Sequence, residues 1–149
     1  MKILNRIFIL GLLATFNVSA SDGMIDLKSH YSVNETTDRF VNLLKSKGVT
    51  VFAVVDHLKG AKSVNLSMNQ SKVVIFGNPK LGTKIMQCDK RAAIDLPMKA
   101  LIWQDNNSQT WFSYNDMKYV MERHNLACAG NVLNKVGKML NKLSQATVK

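Results

Sequence analysis

Apolar and polar residues alternate along Met24 to Tyr31, which predicts a short strand with one buried face. The spacing then becomes helical, because apolar residues recur three and four positions apart from Val33 to Leu44. Ser32 and Glu35 match a capping box, in which the serine hydroxyl accepts the Glu35 amide hydrogen. Gly48 stands where helices commonly end in a left-handed conformation. The pattern predicts a strand followed by a capped helix.

Two more strands are predicted in the middle of the chain. Val49 to Val55 is rich in branched and aromatic residues and too short for a helix, so it predicts a buried strand. A polar connection containing glycine follows, and Lys72 to Phe76 predicts the next strand. Pro79 suits the first turn of a short helix that extends toward Cys88.

A hairpin and a helix are predicted next. Leu101 to Trp103 and Thr110 to Tyr114 flank the turn-forming residues Asp105 to Ser108, which predicts two paired strands. Asp116 is placed to cap a helix over Met117 to His124.

The C-terminal segment carries one apolar stripe at helical spacing, with lysines off the stripe. A core-facing helix, a dimer-facing helix and a helix lying on a membrane share this pattern. Core packing is favoured, because no Trp or Phe anchors the stripe. The stripe consists of Ala129, Val132, Leu133, Val136, Met139, Leu140 and Leu143.

The N-terminal residues match a secretory signal peptide. Lys2 and Arg6 precede an apolar run from Ile7 to Val18, and Ser19 and Ala20 complete a small-residue cleavage pattern. The run is about twelve residues long, short of the roughly twenty that span a bilayer, which disfavours the alternative of a retained anchor. We therefore expect a periplasmic or secreted protein without stable membrane insertion.

The order of elements favours the α+β class. Strands and helices do not alternate regularly, as they would in a parallel α/β sheet. We predict a single compact domain, with an antiparallel sheet of about five strands packed against helices, plus a C-terminal amphipathic helix. The predicted boundaries are residues 1–20 for the signal peptide, 21–128 for the domain and 129–149 for the helix.

Charge narrows the range of partners. The formal net charge is +10, and removal of Lys2 and Arg6 with the signal peptide lowers it to +8. Basic proteins can approach nucleic acid or anionic lipid. Here the lysines are scattered, and no aromatic residues interleave with them to stack bases. We interpret the charge as a solvated surface and predict no nucleic-acid partner.

The two cysteines, Cys88 and Cys128, are predicted to form a disulfide, because an even pair in an oxidising compartment is commonly bonded. A free pair of thiols is the alternative. No Cys-x-x-Cys motif is present, so neither a thioredoxin-type redox centre nor covalent haem is indicated.

The segment from Gly77 to Lys84 superficially resembles a phosphate-binding loop. The order after Gly82 is Thr83-Lys84, which reverses the lysine and hydroxyl positions that such a loop requires. Pro79 also removes one backbone N–H from the loop. A strand end and a turn into a helix explain the segment better.

Soft metal ligands occur at helical spacing in Met117, Met121, His124 and Cys128, a set that suits Cu(I). Asn125 is expected to end the helix before Cys128, and Cys128 is already assigned to the disulfide. Methionines at helical spacing also commonly fill gaps in a core. We predict neither a metal site nor a cofactor.

A series of segments occurs in this order along the chain: Ser32–Thr36, Lys47–Ala53, Asp56–His57, Phe76–Thr83, Ile94–Lys99, Trp103, Tyr114–Asp116 and Arg123–His124. This series resembles the bacterial domain of unknown function family 302. The resemblance covers about Met24 to Leu126. It implies a compact α+β domain similar to the TATA-binding-protein-like arrangement, often dimeric, with no settled biochemical activity. Cys88 departs from the family pattern, and its partner lies beyond that region.

The resemblance also supplies candidate site residues. They could line a cleft, or they could serve turns and caps, which is the simpler explanation for Asn78 and Asp116. The ligand-binding candidates are His57, Asn78, Asp95, Tyr114 and Asn115, and the catalytic candidates are His57, Tyr114 and Asp116. Asp56 belongs to the same motif set.

Three functions follow as hypotheses. The first is a non-enzymatic small-ligand-binding or accessory protein, with an apolar pocket edged by His57 and Tyr114. The alternative is a small hydrolase or isomerase that uses His57 as general base, because histidine exchanges protons near neutral pH. The third is an interaction protein that uses its basic C-terminal helix. The expected partners are a small molecule and a second copy of the chain.

Overall fold

The computed structural model describes residues 23–149, so the predicted signal peptide lies outside the described residues. Short 3-10 helices occupy Lys90–Ile94 and Ala127–Ala129. The other elements are β1 (Met24–Lys28), α1 (Val33–Ser46), β2 (Thr50–Asp56), α2 (His57–Ser63), β3 (Ser71–Gly77), α3 (Pro79–Cys88), β4 (Met98–Gln104), β5 (Thr110–Asn115), α4 (Met117–Arg123) and α5 (Gly130–Val148).

The strands form one five-stranded sheet in the order β1-β5-β4-β3-β2, with every neighbouring pair antiparallel. Helices α1 and α5 cover one face of this sheet. The predicted α+β class, the single domain, the five-stranded antiparallel sheet and the C-terminal helix are confirmed. Within residues 23–149, no helix is both long and apolar enough to cross a bilayer.

The core between the sheet and its helices is centred on Phe40 of α1, which is fully buried. Its ring meets Phe76 of β3 edge-on, with centroids 5.1 Å apart, and Phe112 of β5 at 4.8 Å. Edge-to-face aromatic pairs are favourable beyond the area that they bury. This sheet cluster also contains Val33, Leu44, Val49, Val74, Ala100, Ile102, Tyr114, Leu140, Leu143 and Val148.

A second apolar cluster, the helical cluster, lies where α3, α4 and α5 meet. Helix α5 takes part in both clusters, because its Leu140 and Leu143 pack toward the sheet while Leu133 and Val136 belong to the helical cluster. Core packing of the C-terminal stripe, which the sequence favoured, agrees with this burial. The helical cluster consists of Ile85, Ala92, Met117, Val120, Leu126, Ala129, Leu133 and Val136.

Local capping signals identify the helix ends. Ser32 Oγ accepts from the Glu35 amide at 3.2 Å at the start of α1, as predicted. Gly48 follows α1 with a φ of +67°, which glycine adopts without the steric cost that other residues meet. Asn78 caps α3, which spans the predicted segment from Pro79 to Cys88.

Strand β2 is an edge strand, which corrects the prediction of a buried strand. Phe52, Val54 and Val55 are 51%, 45% and 40% exposed. A β-branched and aromatic composition favours a strand but does not distinguish an edge from a central position. The register of β2 with β3 also shifts between Val51 and Ala53, so Phe52 stands in a bulge.

The polar connection predicted after Asp56 begins with a helix, α2, that the sequence analysis missed. The Asp56 carboxylate accepts from the Lys59 amide at 2.9 Å and caps this helix. That hydrogen bond, together with the charge of Lys72, lowers the pKa of the Asp56 carboxyl. Gly60 and a length of only seven residues weaken the helical pattern of α2 in the sequence.

The predicted hairpin forms between β4 and β5, and Asp105 organises its turn. The Trp111 indole N–H donates to Asp105 at 2.8 Å, and the amides of Gln109 and Asn107 donate at 2.9 and 2.8 Å. These hydrogen bonds, that of Trp111 first, lower the pKa of the Asp105 carboxyl. The resulting stabilisation is complete above about pH 4 and is lost as the pH falls through the lower pKa of the folded state.

Cys88 and Cys128 are bonded to each other, which joins the last residue of α3 to the turn before α5. Their separation of 40 residues closes a long loop. On the chain-entropy estimate, such a cross-link stabilises the fold by about 4 kcal/mol.

Phe40→Ala is expected to lower the free energy of unfolding by about 4 kcal/mol, because it removes a fully buried ring and leaves a cavity between two others. Phe52→Ala is the matched control, with an expected loss of about 1 kcal/mol or less because half of that ring is exposed. Urea unfolding followed by circular dichroism measures both. Equal losses would contradict the exposure of the Phe52 ring.

Candidate functional site

A cavity of about 350 Å³ opens between the helical cluster and one end of the sheet. Helix α3 creates this space, because its main contacts are with α5 and with the two 3-10 helices rather than with a strand. Asn78 and Pro79 start α3 directly at the end of β3 and so carry the chain away from the sheet. The cavity is therefore built into the connection between β3 and the helical layer.

The floor of the cavity is apolar and buried. Its residues come from α3, α4 and α5, and each is less than one-tenth exposed. Uncompensated polar groups are costly in such surroundings, so the floor suits hydrocarbon. The floor residues are Ile85, Met117, Val120, Leu133, Val136 and Leu140.

The rim of the cavity is exposed and partly polar. Polar side chains interrupt it at four positions, contributed by α3 with its capping residue and by strands β4 and β5. A polar group on a ligand can be recognised there while it remains in contact with water. The rim residues are Phe52, Asn78, Pro79, Thr83, Ala93, Pro97, Lys99 and Asn115.

Methionine is unusually frequent in this lining. Four of the eight methionines in the chain, Met86, Met98, Met117 and Met139, contact the cavity. The thioether side chain is flexible and polarizable, so it adapts to ligands of different shape. In the sequence, Met139 belongs to the C-terminal apolar stripe and Met117 to the soft-ligand set, and neither pattern indicates a shared cavity.

Asp95 lies in the cavity wall and is held by the side chains of Arg123 and His124. Its side chain is 10% exposed and pairs with Arg123 at 3.3 Å, between Oδ1 and Nη1. Its other oxygen, Oδ2, is hydrogen-bonded to Nε2 of the buried His124. These contacts fasten the segment before β4 to the end of α4. The carboxylate is thus engaged by protein groups rather than held free for a ligand.

The predicted site residues separate into two groups. Asn78, Asp95 and Asn115 line the cavity, whereas His57 and Tyr114 do not. His57 is exposed at the start of α2, beyond the edge strand β2. Tyr114 is buried in β5, three strands away, or about 14 Å across the sheet.

Asp116, the third catalytic candidate, caps α4 by accepting from the Lys118 amide at 2.9 Å. The structure therefore does not bring His57, Tyr114 and Asp116 together, and the cavity is not edged by His57 and Tyr114 as expected. Sequence order alone could not reveal this, because the sheet order separates β2 from β5 by two intervening strands.

The Tyr114 hydroxyl is buried without a hydrogen-bond partner among residues 23–149. Its ring packs against Phe112 in the sheet cluster, with centroids 6.0 Å apart. An unsatisfied buried polar group destabilises the folded state by about 1–3 kcal/mol.

In residues 23–149, no group of three or more His, Cys, Asp or Glu side chains is arranged to hold a metal ion. In the soft-ligand set weighed in the sequence, Cys128 is bonded to Cys88 and His124 is hydrogen-bonded to Asp95.

The sequence profile of a family described as "Domain of unknown function DUF302" matches residues 25–145. The chain belongs to the DUF302 family. The match extends through most of α5, which agrees with the burial of that helix in both apolar clusters of this DUF302 domain.

Curated relatives include two Brucella proteins named "Fluoride-specific ion channel FluC 1". The protein from Brucella suis is 38% identical over 110 residues, which cover 74% of this chain and 43% of the relative. The Brucella abortus protein is also 38% identical over 110 residues, which cover 74% of this chain and 41% of the relative. The matched region thus spans about two-fifths of these relatives.

The fold is also similar to the crystal structure of an uncharacterised conserved DUF302 protein from Bacillus stearothermophilus. The TM-score is 0.77 at 16% sequence identity, and the match covers 85% of this chain and 99% of the other. This similarity supports the fold.

Tyr114→Phe is expected to raise the free energy of unfolding by about 1 kcal/mol, because it removes an unsatisfied buried hydroxyl. Tyr31→Phe is the control: the Tyr31 hydroxyl donates to the Lys149 carbonyl at 2.7 Å, and its loss is expected to destabilise by about 1 kcal/mol. Chemical denaturation distinguishes the two signs. Destabilisation by both variants would indicate that the Tyr114 hydroxyl has a partner in solution.

Proposed function

We propose that this DUF302 protein is an exported, non-enzymatic protein that binds a small, largely apolar molecule in the cavity between the sheet and the helical cluster. The supporting observation is the division of the lining into a buried apolar floor and an exposed, partly polar rim. A volume of about 350 Å³ is within the usual range of ligand sites.

Binding without catalysis is favoured by the positions of the candidate residues. General acid–base catalysis requires side chains within hydrogen-bond reach of one another or of a shared substrate. His57 and Tyr114 are about three strand spacings apart, and Asp116 is occupied as a cap. The alternative, a hydrolase or isomerase with His57 as general base, has no comparable constellation to support it.

The N-terminal pattern supports the proposed compartment. The charged start, the apolar run and the small-residue cleavage site support export to the periplasm or the exterior. The bonded pair Cys88–Cys128 is consistent with this, because disulfides persist in oxidising compartments.

An accessory role beside a membrane protein has one supporting observation. The Brucella relatives contain a matching region within chains more than twice the matched length, and those chains are named as fluoride-specific ion channels. The matched region is the smaller part of those proteins. For this chain we therefore propose only an association with a membrane protein.

Val136→Trp is expected to weaken binding of an environment-sensitive apolar dye, such as N-phenyl-1-naphthylamine, at least tenfold, because the indole fills the cavity floor. Val64→Trp is the matched control, since Val64 is 62% exposed and outside the lining. Dye fluorescence measures binding, and circular dichroism checks that both variants stay folded. Unchanged binding to folded Val136→Trp would place the dye site elsewhere.

We also infer that a second copy of the chain pairs with β2. This edge strand exposes apolar side chains on both faces, and an antiparallel strand is self-complementary about a two-fold axis. Pairing of two β2 strands would bury Val54 and Val55 and extend the sheet.

Val54→Lys is expected to shift a dimer to monomer, because it places a charge in the apolar contact of β2. Asn107→Lys, in the exposed hairpin turn, adds the same charge and is expected to leave the dimer intact. Sedimentation equilibrium over micromolar concentrations measures the distribution. A monomeric wild-type protein throughout this range would reject self-association.

A further inference from the structure

We propose that the ligand is a single-chain fatty carboxylate of about ten to twelve carbons, with its tail on the buried floor and its carboxylate at Lys99. This inference rests on the proposed binding function and specifies the ligand chemistry. The size of the cavity limits the length of the ligand, its polarity limits the chemistry of the tail, and its charge limits the head group.

Size limits the chain length. The cavity volume is about 350 Å³. One molecule in liquid water occupies about 30 Å³. If each carbon-sized group needs a similar volume, the cavity accommodates roughly ten to twelve such groups. A single medium chain therefore fits, whereas a two-chain lipid exceeds the space.

Polarity excludes ligands with hydrogen-bonding groups along their length. The six floor residues are aliphatic or methionine and offer no side-chain donor or acceptor. A sugar or a nucleobase on this floor would lose its hydrogen bonds to water without replacement. A hydrocarbon chain loses none, and the methionines of the lining can adjust to its bends.

Charge selects the head group. Lys99 is exposed on the rim, and its ammonium donates to the Pro97 carbonyl at 3.3 Å, which leaves donors for a ligand. The acidic residue of the wall, Asp95, is paired with Arg123 and hydrogen-bonded to His124, so it does not cancel the rim charge. The exposed Lys80 and Lys84 on α3 add positive potential nearby.

The start of α3 is not the anion site, although it borders the rim. Asn78 Oδ1 already accepts from the amides of Lys80 and Leu81, at 3.0 and 3.4 Å. Pro79 has no amide hydrogen to offer. The backbone donors that usually attract an anion to a helix start are thus engaged or absent, and Lys99 is the remaining cationic group on the rim.

The test measures displacement of the apolar dye by straight-chain carboxylates of six to fourteen carbons, each below its micellar concentration. Affinity is expected to rise about fourfold with each added methylene, which is the gain from burying one such group. The rise is expected to stop at ten to twelve carbons, where the cavity is full. Decanol is expected to bind at least fivefold more weakly than decanoate, and decyltrimethylammonium more weakly still.

The Lys99→Gln variant is expected to bind decanoate and decanol equally. Lys142→Gln, at an exposed position of α5 outside the lining, is the matched control and should keep the preference for decanoate. Added salt is expected to narrow the preference in the wild-type protein, because screening weakens an exposed charge contact.

The outcomes separate this inference from the proposed function. If the dye binds in a Val136-dependent manner but decanol competes as well as decanoate, the head-group assignment fails while the cavity site stands. Affinity that keeps rising to fourteen carbons would overturn the size limit and indicate a chain on the surface. If neither the dye nor any amphiphile binds the folded protein, the proposed function itself fails.

Discussion

Helix α5 contributes residues to both apolar clusters and so joins the layer that covers the sheet to the helical cluster. Its C-terminal half covers the sheet through Leu140 and Leu143, while Leu133 and Val136 face α3 and α4. The two clusters meet along α5 without filling all of the space between them. The cavity lies in this space, and α5 provides half of its floor.

Local signals predicted most of the elements, because a cap or a turn depends on a few neighbouring residues. Ser32, Asn78 and Asp116 each accept from backbone amides within three positions along the chain. The hairpin turn at Asp105 is equally local. The position of β2 at the edge was not predictable in this way, because strand order depends on contacts between distant segments. Helix α2 was missed because Gly60 and a length of only seven residues weaken its helical pattern in the sequence.

The candidate site was predicted only in part, for a related reason. Asn78, Asp95 and Asn115 were identified from the family resemblance, and all three contact the cavity. The floor was not identified, because its residues lie on three helices whose apolar patterns indicate burial and nothing more. Lys99 was likewise passed over, since one lysine among many carries no signal until the structure places it on the rim.

The walls of a half-open cavity do not pack against each other, so other contacts must hold them in place. Two cross-links provide such contacts around α3 and the segment that follows it. The disulfide from Cys88 to Cys128 joins the end of α3 to the turn before α5, and the contacts of Asp95 with Arg123 and His124 join the segment before β4 to α4. Walls fixed in this way would lose little conformational entropy on binding the proposed ligand. Asp95, which the resemblance suggested for ligand binding, therefore makes contacts within the protein that link two parts of the cavity wall.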